Sequence, residues 1–147
     1  MIPTYEYIYL SQELGNRRSV MEPTVKKSWG YEIWFENNDK YCGKLLFVEK
    51  DKWSSNGNFH YHKIKDESFF IIEGSLLLEL VGDNNEISVI ELKEMQSTRV
   101  FPATKHRFTA ISEKGCKFIE VSTTHLDEDS YRCYWDKERG KWNDILF

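Results

Sequence analysis

Four side chains in this sequence have the types and spacing needed to bind one metal ion. His60 and His62 are two positions apart, and Glu67 opens the next apolar run. Residues i and i+2 of a strand point to the same face, roughly 6.6 Å apart, so two imidazoles can reach one ion through bonds of about 2.0–2.1 Å. His106 follows Pro102 by four positions, at the head of a later strand. The set predicts a site of three imidazoles and one carboxylate.

Each of these histidines, taken singly, also fits an ordinary surface or turn position. Glu67 argues against that explanation for the set, because a carboxylate flanked by apolar strand residues is costly to bury unless it is paired or metal-bound. Residues 63–66 are long enough to turn between the two strands, so Glu67 can point into the same interior as His60 and His62.

Short strands separated by turn residues must position these side chains. The pattern predicts strands at residues 31–35, 44–48, 59–62, 68–72, 75–80, 87–92, 98–101, 108–111 and 118–121. Glu73-Gly74 is predicted to form a tight hairpin turn, and residues 82–85 a second one. With almost no helical periodicity, such spacing favours an all-β sandwich or barrel.

Length, charge and cysteine content exclude several classes of protein. The chain has 147 residues, which favours one domain, and a net charge of −4 without a block of like charges. We therefore expect no nucleic-acid partner and no membrane association. The sequence contains no apolar run near 18 residues and no N-terminal signal pattern, which predicts a cytoplasmic protein. The odd set Cys42, Cys116 and Cys133 has no CxxC spacing, so we expect reduced, structural thiols.

The chain divides into three parts. Residues 1–24 are predicted to be an N-terminal arm, residues 25–125 a barrel, and residues 126–147 a less regular C-terminal extension that packs on the barrel or on a partner chain. Because a small barrel leaves strand edges that need cover, we also expect a homodimer.

The two segments that carry the histidines resemble the two cupin motifs. Residues 57–67 followed by Gly74 resemble the first motif, which combines HxH with a Glu and a later Gly. Residues 102–106 resemble the second, although the Gly that usually stands between Pro102 and His106 is missing. This resemblance implies a single-domain cupin, that is, a double-stranded β-helix or jelly-roll barrel, with His60, His62, Glu67 and His106 as ligands of one divalent metal.

A finer resemblance covers roughly residues 26–132. Residues 27–32 with Tyr41 and Lys44, and later residues 104–108 and 119–123, are similar to the cupin domain of bifunctional phosphomannose isomerases with guanylyltransferase activity. Small cupins similar to lyxose isomerases share this outline. Because the sequence contains no nucleotide-transferase portion, the resemblance implies only the isomerase activity.

Three further residues are candidates for function. Lys44 is a candidate for binding an anionic or hydroxyl-rich substrate, but it also fits a solvated edge position. Arg107 is a second substrate-binding candidate, although strand alternation points it away from His106. Glu120 is a candidate general base if its face of the strand is the interior one. His125 lies outside both motifs, and we expect a surface residue there.

These observations favour a metal-dependent aldose–ketose isomerase that acts on a sugar or sugar phosphate. Zinc or manganese is the expected ion, and iron, cobalt or nickel also suits the ligands. Because cupins serve many functions, a non-catalytic sugar-binding cupin and an Fe(II)-dependent dioxygenase remain open. The expected partner is therefore a small sugar.

Overall fold

A computed structural model of the chain describes residues 24–146, which form two antiparallel sheets of six strands each. In chain order the strands are β1 (Thr24–Lys27), β2 (Gly30–Asn37), β3 (Cys42–Val48), β4 (Phe59–Tyr61), β5 (Glu67–Glu73), β6 (Leu76–Val81), β7 (Ile87–Leu92), β8 (Ser97–Val100), β9 (His106–Ala110), β10 (Cys116–Ser122), β11 (Tyr131–Asp136) and β12 (Lys141–Asp144). The first sheet has the order β1-β2-β3-β10-β5-β8, and the second has the order β12-β11-β4-β9-β6-β7. The predicted all-β architecture of short strands is confirmed.

The inward face of each central strand changes from apolar to polar along its length. On β10 the buried Phe118 is followed two positions later by the buried Glu120, and on β3 Leu46 is preceded two positions earlier by the buried Lys44. These residues face each other in register, Phe118 with Leu46 and Glu120 with Lys44. One end of the interior is therefore an apolar core, and the other end is a polar cavity.

Aromatic rings fill the apolar end next to this cavity. The ring centroids of Phe69 and Phe118 are 5.0 Å apart, and those of Phe108 and Phe118 are 5.4 Å apart. All three side chains belong to one buried cluster that includes residues from both sheets. Edge-to-face and tilted packing of this kind favours a fixed arrangement of rings, and it provides a rigid floor beneath the polar end.

The predicted hairpin at Glu73-Gly74 is wrong. Strand β5 pairs with β10 and β8, whereas β6 pairs with β7 and β9 in the other sheet, so the chain crosses between sheets at this point. Gly74 has φ +84°, and a Cβ there would clash with the carbonyl oxygen of Gly115, so the crossing needs glycine. The second predicted hairpin is confirmed, because β6 and β7 pair directly across residues 82–85.

The C-terminal segment continues the second sheet. Strand β11 pairs with β4, and β12 pairs with β11. A short 3₁₀ turn, Asp127–Asp129, precedes β11. Residues 126–146 therefore add a regular hairpin beside the strand that carries His60. The predicted N-terminal arm falls almost entirely outside the described residues, and the homodimer remains a prediction.

Two smaller expectations concern thiols and membrane segments. Cys42, Cys116 and Cys133 are all free and buried, as expected for structural thiols. Between residues 24 and 146 the structure has no helix with the length and apolar character that crossing a bilayer requires.

Candidate metal centre

Strand pairing brings the four predicted ligands together. His60 on β4 lies directly opposite His106, the first residue of β9, and His62 follows β4 immediately while Glu67 begins β5. One potential ligand atom from each of the four residues lies within 4.8 Å of the others. The missing glycine in the second motif does not displace His106, because the pairing with His60 and Leu80 fixes its position.

Backbone carbonyls determine the tautomers of two of these histidines. His62 Nδ1 is 2.7 Å from the carbonyl oxygen of Asp129, and His106 Nδ1 is 2.8 Å from that of Thr104. A carbonyl only accepts hydrogen bonds, so each Nδ1 must carry the hydrogen. Each neutral ring therefore presents its Nε2 lone pair on the other side, which is the usual arrangement behind a metal-ligating histidine.

These lone pairs face the carboxylate of Glu67. His106 Nε2 is 2.9 Å from Glu67 Oε1, and His62 Nε2 is 3.6 Å from Glu67 Oε2. Two sets of lone pairs at such distances repel unless a proton or a metal ion lies between them. Among residues 24–146, His60 Nδ1, His106 Nε2 and Glu67 Oε2 are buried without a hydrogen-bond partner. The donor set therefore fits one divalent ion.

The surroundings of the cluster adjust its ionisation in the direction that metal binding requires. It lowers the pKa of His60 well below its ordinary value, and it also lowers the pKa of His62. Burial opposes ionisation of Glu67, but His106, Lys65 and His62 outweigh it and hold the pKa of this carboxyl below its usual range. Neutral imidazoles and an ionised carboxylate are the forms that bind metal.

Asp129 holds the loop that carries these ligands, a role that the sequence did not reveal. Its carboxylate accepts hydrogen bonds from the backbone N–H groups of Lys63, Ile64 and Lys65, at 2.8, 3.1 and 3.0 Å. Its own carbonyl accepts the Nδ1–H of His62. One residue of the C-terminal segment thus fixes both the β4–β5 loop and a candidate ligand.

Three of the four residues, His60, His62 and Glu67, border a cavity of about 790 Å³. Glu120 lies in its wall, in register with Lys44 on one neighbouring strand and with Phe69 on the other. The sequence left open which face of the strand Glu120 occupies, and the structure places it inside. Its role as a general base remains a prediction.

Lys65 links Glu120 to the candidate metal ligands, and the sequence analysis missed it. Its Nζ is 2.8 Å from Glu120 Oε2 and 3.4 Å from Glu67 Oε2, and its side chain is 3% exposed. Burial opposes its charge, but Glu120 and Glu67 outweigh burial and raise its pKa. The sequence placed Lys65 in a turn. The sequence did contain one indication that Lys65 lies near the site, because both ends of this turn, His62 and Glu67, were expected to point inward.

His125 also lines the cavity, so its expected surface position is wrong. The side chain is only 12% exposed, and its Nδ1 is 3.2 Å from Lys44 Nζ and 3.3 Å from Lys65 Nζ. Burial, followed by the charges of Lys44 and Lys65, lowers the pKa of His125 to about 4. The imidazole is therefore neutral near pH 7.

Of the two predicted substrate-binding residues, Lys44 lies in the cavity and Arg107 lies outside it. Lys44 lines the cavity and is 2% exposed, so the solvated edge position is wrong for it. Arg107 is not among the cavity-lining residues. Its guanidinium group pairs with Glu79, donates to the carbonyl of Gly57 at 2.6 Å and lies over the ring of Phe59. The structure thus brings Lys44, and not Arg107, to the candidate site.

Comparisons with known proteins bear on the fold. No family model and no curated protein matches the chain. Among solved structures, it is similar to oxalate decarboxylase from Bacillus subtilis at pH 4.6, with 14% identity, a TM-score of 0.66, and coverage of 76% of this chain and 30% of that one. A structure from a study of the Mn(II) centres of the same enzyme gives 14% identity, a TM-score of 0.65 and the same coverage.

This chain spans about 30% of the length of those enzymes. Its two antiparallel sheets and these structural neighbours show that it has the cupin fold, as a single jelly-roll domain. At 14% identity the likeness concerns the fold alone, because one fold supports many different chemistries.

Proposed function

We propose that this protein is a metal-dependent isomerase that interconverts the aldose and ketose forms of a sugar or sugar phosphate. One observation carries the proposal. A buried carboxylate, Glu120, faces the same cavity as His60, His62 and Glu67 of the candidate metal cluster, and Lys65 joins it to Glu67. Aldose–ketose isomerisation needs this combination, because a proton moves between two adjacent carbons while the neighbouring oxygens are polarised.

The metal would be held by His60, His62, Glu67 and His106. When bound, a divalent ion acts as a Lewis acid that polarises a carbonyl oxygen. Manganese is the first ion to test, because the similar structures include one from a study of Mn(II) centres in Bacillus subtilis oxalate decarboxylase. Zinc is the second, because three imidazoles and a carboxylate also suit it.

The protein's own residues supply the proton transfer. Glu120 takes the proton from one carbon of the substrate and returns it to the next, as a general base and then a general acid. Lys65, at 2.8 Å, fixes the orientation of this carboxylate. Ser122 Oγ lies 3.3 Å from Glu120 Oε2, while its hydroxyl also donates to the carbonyl oxygen of Thr123 at 2.9 Å. Trp29, Phe69 and Phe108 form apolar parts of the wall and limit the access of water.

The test combines metal content with turnover. Wild-type protein should contain about one manganese or zinc per chain and should interconvert at least one member of a panel of pentoses, hexoses and hexose phosphates. Glu120→Gln should keep the metal and lose roughly 10²–10⁴-fold in kcat, the usual contribution of a positioned acid–base group. Glu91→Gln, on the exposed side of β7, is the matched control and should behave as wild type.

Other outcomes point to the other functions. Metal-loaded protein without any interconversion would contradict the isomerase. Iron together with oxygen uptake would indicate a dioxygenase. If the protein binds a sugar without turning it over, and Glu120→Gln binds the sugar equally well, the protein is a binding protein.

A further inference from the structure

The ammonium group of Lys44 is buried without a close counter-ion. The side chain is 3% exposed, and the nearest carboxylate oxygen, Glu32 Oε2, is 3.8 Å from Nζ. That oxygen already accepts the indole N–H of Trp34 at 2.7 Å. The ring of Trp34 lies 4.0 Å from Nζ. A buried charge is costly unless it is paired and hydrogen-bonded, so Lys44 needs a better partner than the structure gives it.

The one hydrogen-bond acceptor of Lys44 among the described residues is shared. His125 Nε2 is 3.1 Å from the carboxylate of Asp127, so Nε2 carries the hydrogen and Nδ1 is the bare nitrogen. Both Lys44 Nζ and Lys65 Nζ point at this single lone pair, at 3.2 and 3.3 Å. One lone pair accepts one good hydrogen bond. Lys65 also pairs with Glu120 at 2.8 Å. The ammonium group of Lys44 therefore has N–H donors that lack an acceptor among the described residues.

The cavity as a whole is more basic than the protein. The chain carries a net charge of −4, yet five basic side chains line the cavity, against four acidic ones. The basic residues are Lys26, Lys27, Lys44, Lys65 and Arg132, and the acidic ones are Glu32, Glu67, Glu120 and Asp127. A divalent ion would add two more positive charges. A cavity wall of this sign attracts anions and strengthens their binding.

We propose that Lys44 and the adjacent wall form an oxyanion subsite, and that the substrate is an acidic sugar whose phosphate or carboxylate group binds there. The substrate class rests on the proposed isomerase function, whereas anion binding at Lys44 does not depend on it. The oxyanion accepts hydrogen bonds from the ammonium group and neutralises its charge. The candidate metal cluster, at the other side of Lys65, would hold the reacting end of the same molecule.

Anion binding can be measured without turnover. We would titrate the manganese-loaded protein, and separately the metal-free protein, with inorganic phosphate and with acetate by isothermal titration calorimetry. Lys44→Met keeps the length of the side chain but removes its charge, and it should weaken binding roughly tenfold to hundredfold, as for loss of a hydrogen bond to a charged group. Lys50→Met is the matched control, since Lys50 lies on the surface and pairs with Glu113.

A second variant acts in the opposite direction. Glu32→Gln removes the carboxylate nearest to Lys44 and should tighten phosphate binding, so the proposal remains testable if Lys44→Met fails to fold. Phosphate affinity unchanged in both variants would overturn the subsite. Binding that requires manganese and ignores Lys44→Met would place the anion on the metal, and would overturn it as well.

Turnover then separates the two proposals. Isomerisation of a hexose phosphate but not of a hexuronate identifies phosphate as the natural group, and the reverse result identifies a carboxylate. Isomerisation of neutral sugars only, without anion binding, would overturn the acidic substrate and leave the isomerase standing. Phosphate binding that depends on Lys44, without turnover of any sugar, would support the subsite and contradict the isomerase.

Discussion

Replacing Lys65 by methionine should destabilise the metal-free protein strongly. The change leaves Glu120 and Glu67, whose side chains are 7% and 2% exposed, without the ammonium group 2.8 and 3.4 Å away. Removing one partner of a buried ion pair typically costs about 3–5 kcal/mol, because the remaining charge is buried without compensation. That is a large part of the roughly 5–15 kcal/mol that stabilises an ordinary domain.

The metal should reduce this cost. A divalent ion compensates the charge of Glu67, so only Glu120 loses its partner when Lys65→Met is made in the manganese-loaded protein. We would measure the free energy of unfolding by urea denaturation, followed by circular dichroism, with and without manganese. Lys117→Met is the matched control, because Lys117 and Glu73 form an exposed pair, 3.8 Å apart, with side chains 37% and 68% exposed. Such surface pairs contribute about 1 kcal/mol or less.

A double-mutant cycle tests the reasoning directly. Adding Glu120→Gln to Lys65→Met removes the uncompensated charge, so the double variant should be less destabilised than the sum of the single variants. Coupling within one buried network usually amounts to about 0.5–3 kcal/mol. If the two effects are additive, or if Lys65→Met costs no more than Lys117→Met, the buried network does not behave as the structure indicates.

Three further predictions follow from the same geometry. His62→Ala should lose the metal measured by elemental analysis, whereas His125→Ala should retain about one ion per chain; retention in the first would contradict the ligand set. Because burial lowers the pKa of His125 to about 4, whereas an unfolded histidine titrates near 6.5, the unfolded chain takes up this proton first. Metal-free protein should therefore lose stability as pH falls from about 6.5 towards 4, and His125→Gln should lessen this loss, as judged by urea midpoints; an unchanged pH dependence would refute it. Native protein should show almost no thiol that reacts with a disulfide reagent, and unfolded protein should show three, because Cys42, Cys116 and Cys133 are all buried; rapid reaction of the native protein would contradict that burial.

Local spacing was sufficient to predict strands β2 to β10 and the four-residue cluster, but it did not predict β1, β11 or β12, and the expectation of a less regular C-terminal extension was wrong. The i, i+2 relation of His60 and His62 depends only on strand geometry, so it survives any arrangement of the sheets. Apolar flanks made Glu67 an inward-pointing carboxylate. The same local reasoning failed at Glu73-Gly74. The sequence of a short turn between two strands looks the same whether the strands pair with each other or belong to different sheets.

Only the tertiary structure decided the rest of the site. Lys65 lies 60 positions from His125 and 64 positions from Asp129 in the chain, yet it forms hydrogen bonds with both. The pairing of β11 with β4 makes these contacts possible. The local sequence around a lysine in a polar turn is the same whether the lysine lies on the surface or inside a cavity. The same holds for an acidic turn near the C-terminus. The sequence by itself therefore determined which residues could hold a metal, and the long-range register determined which charges face it.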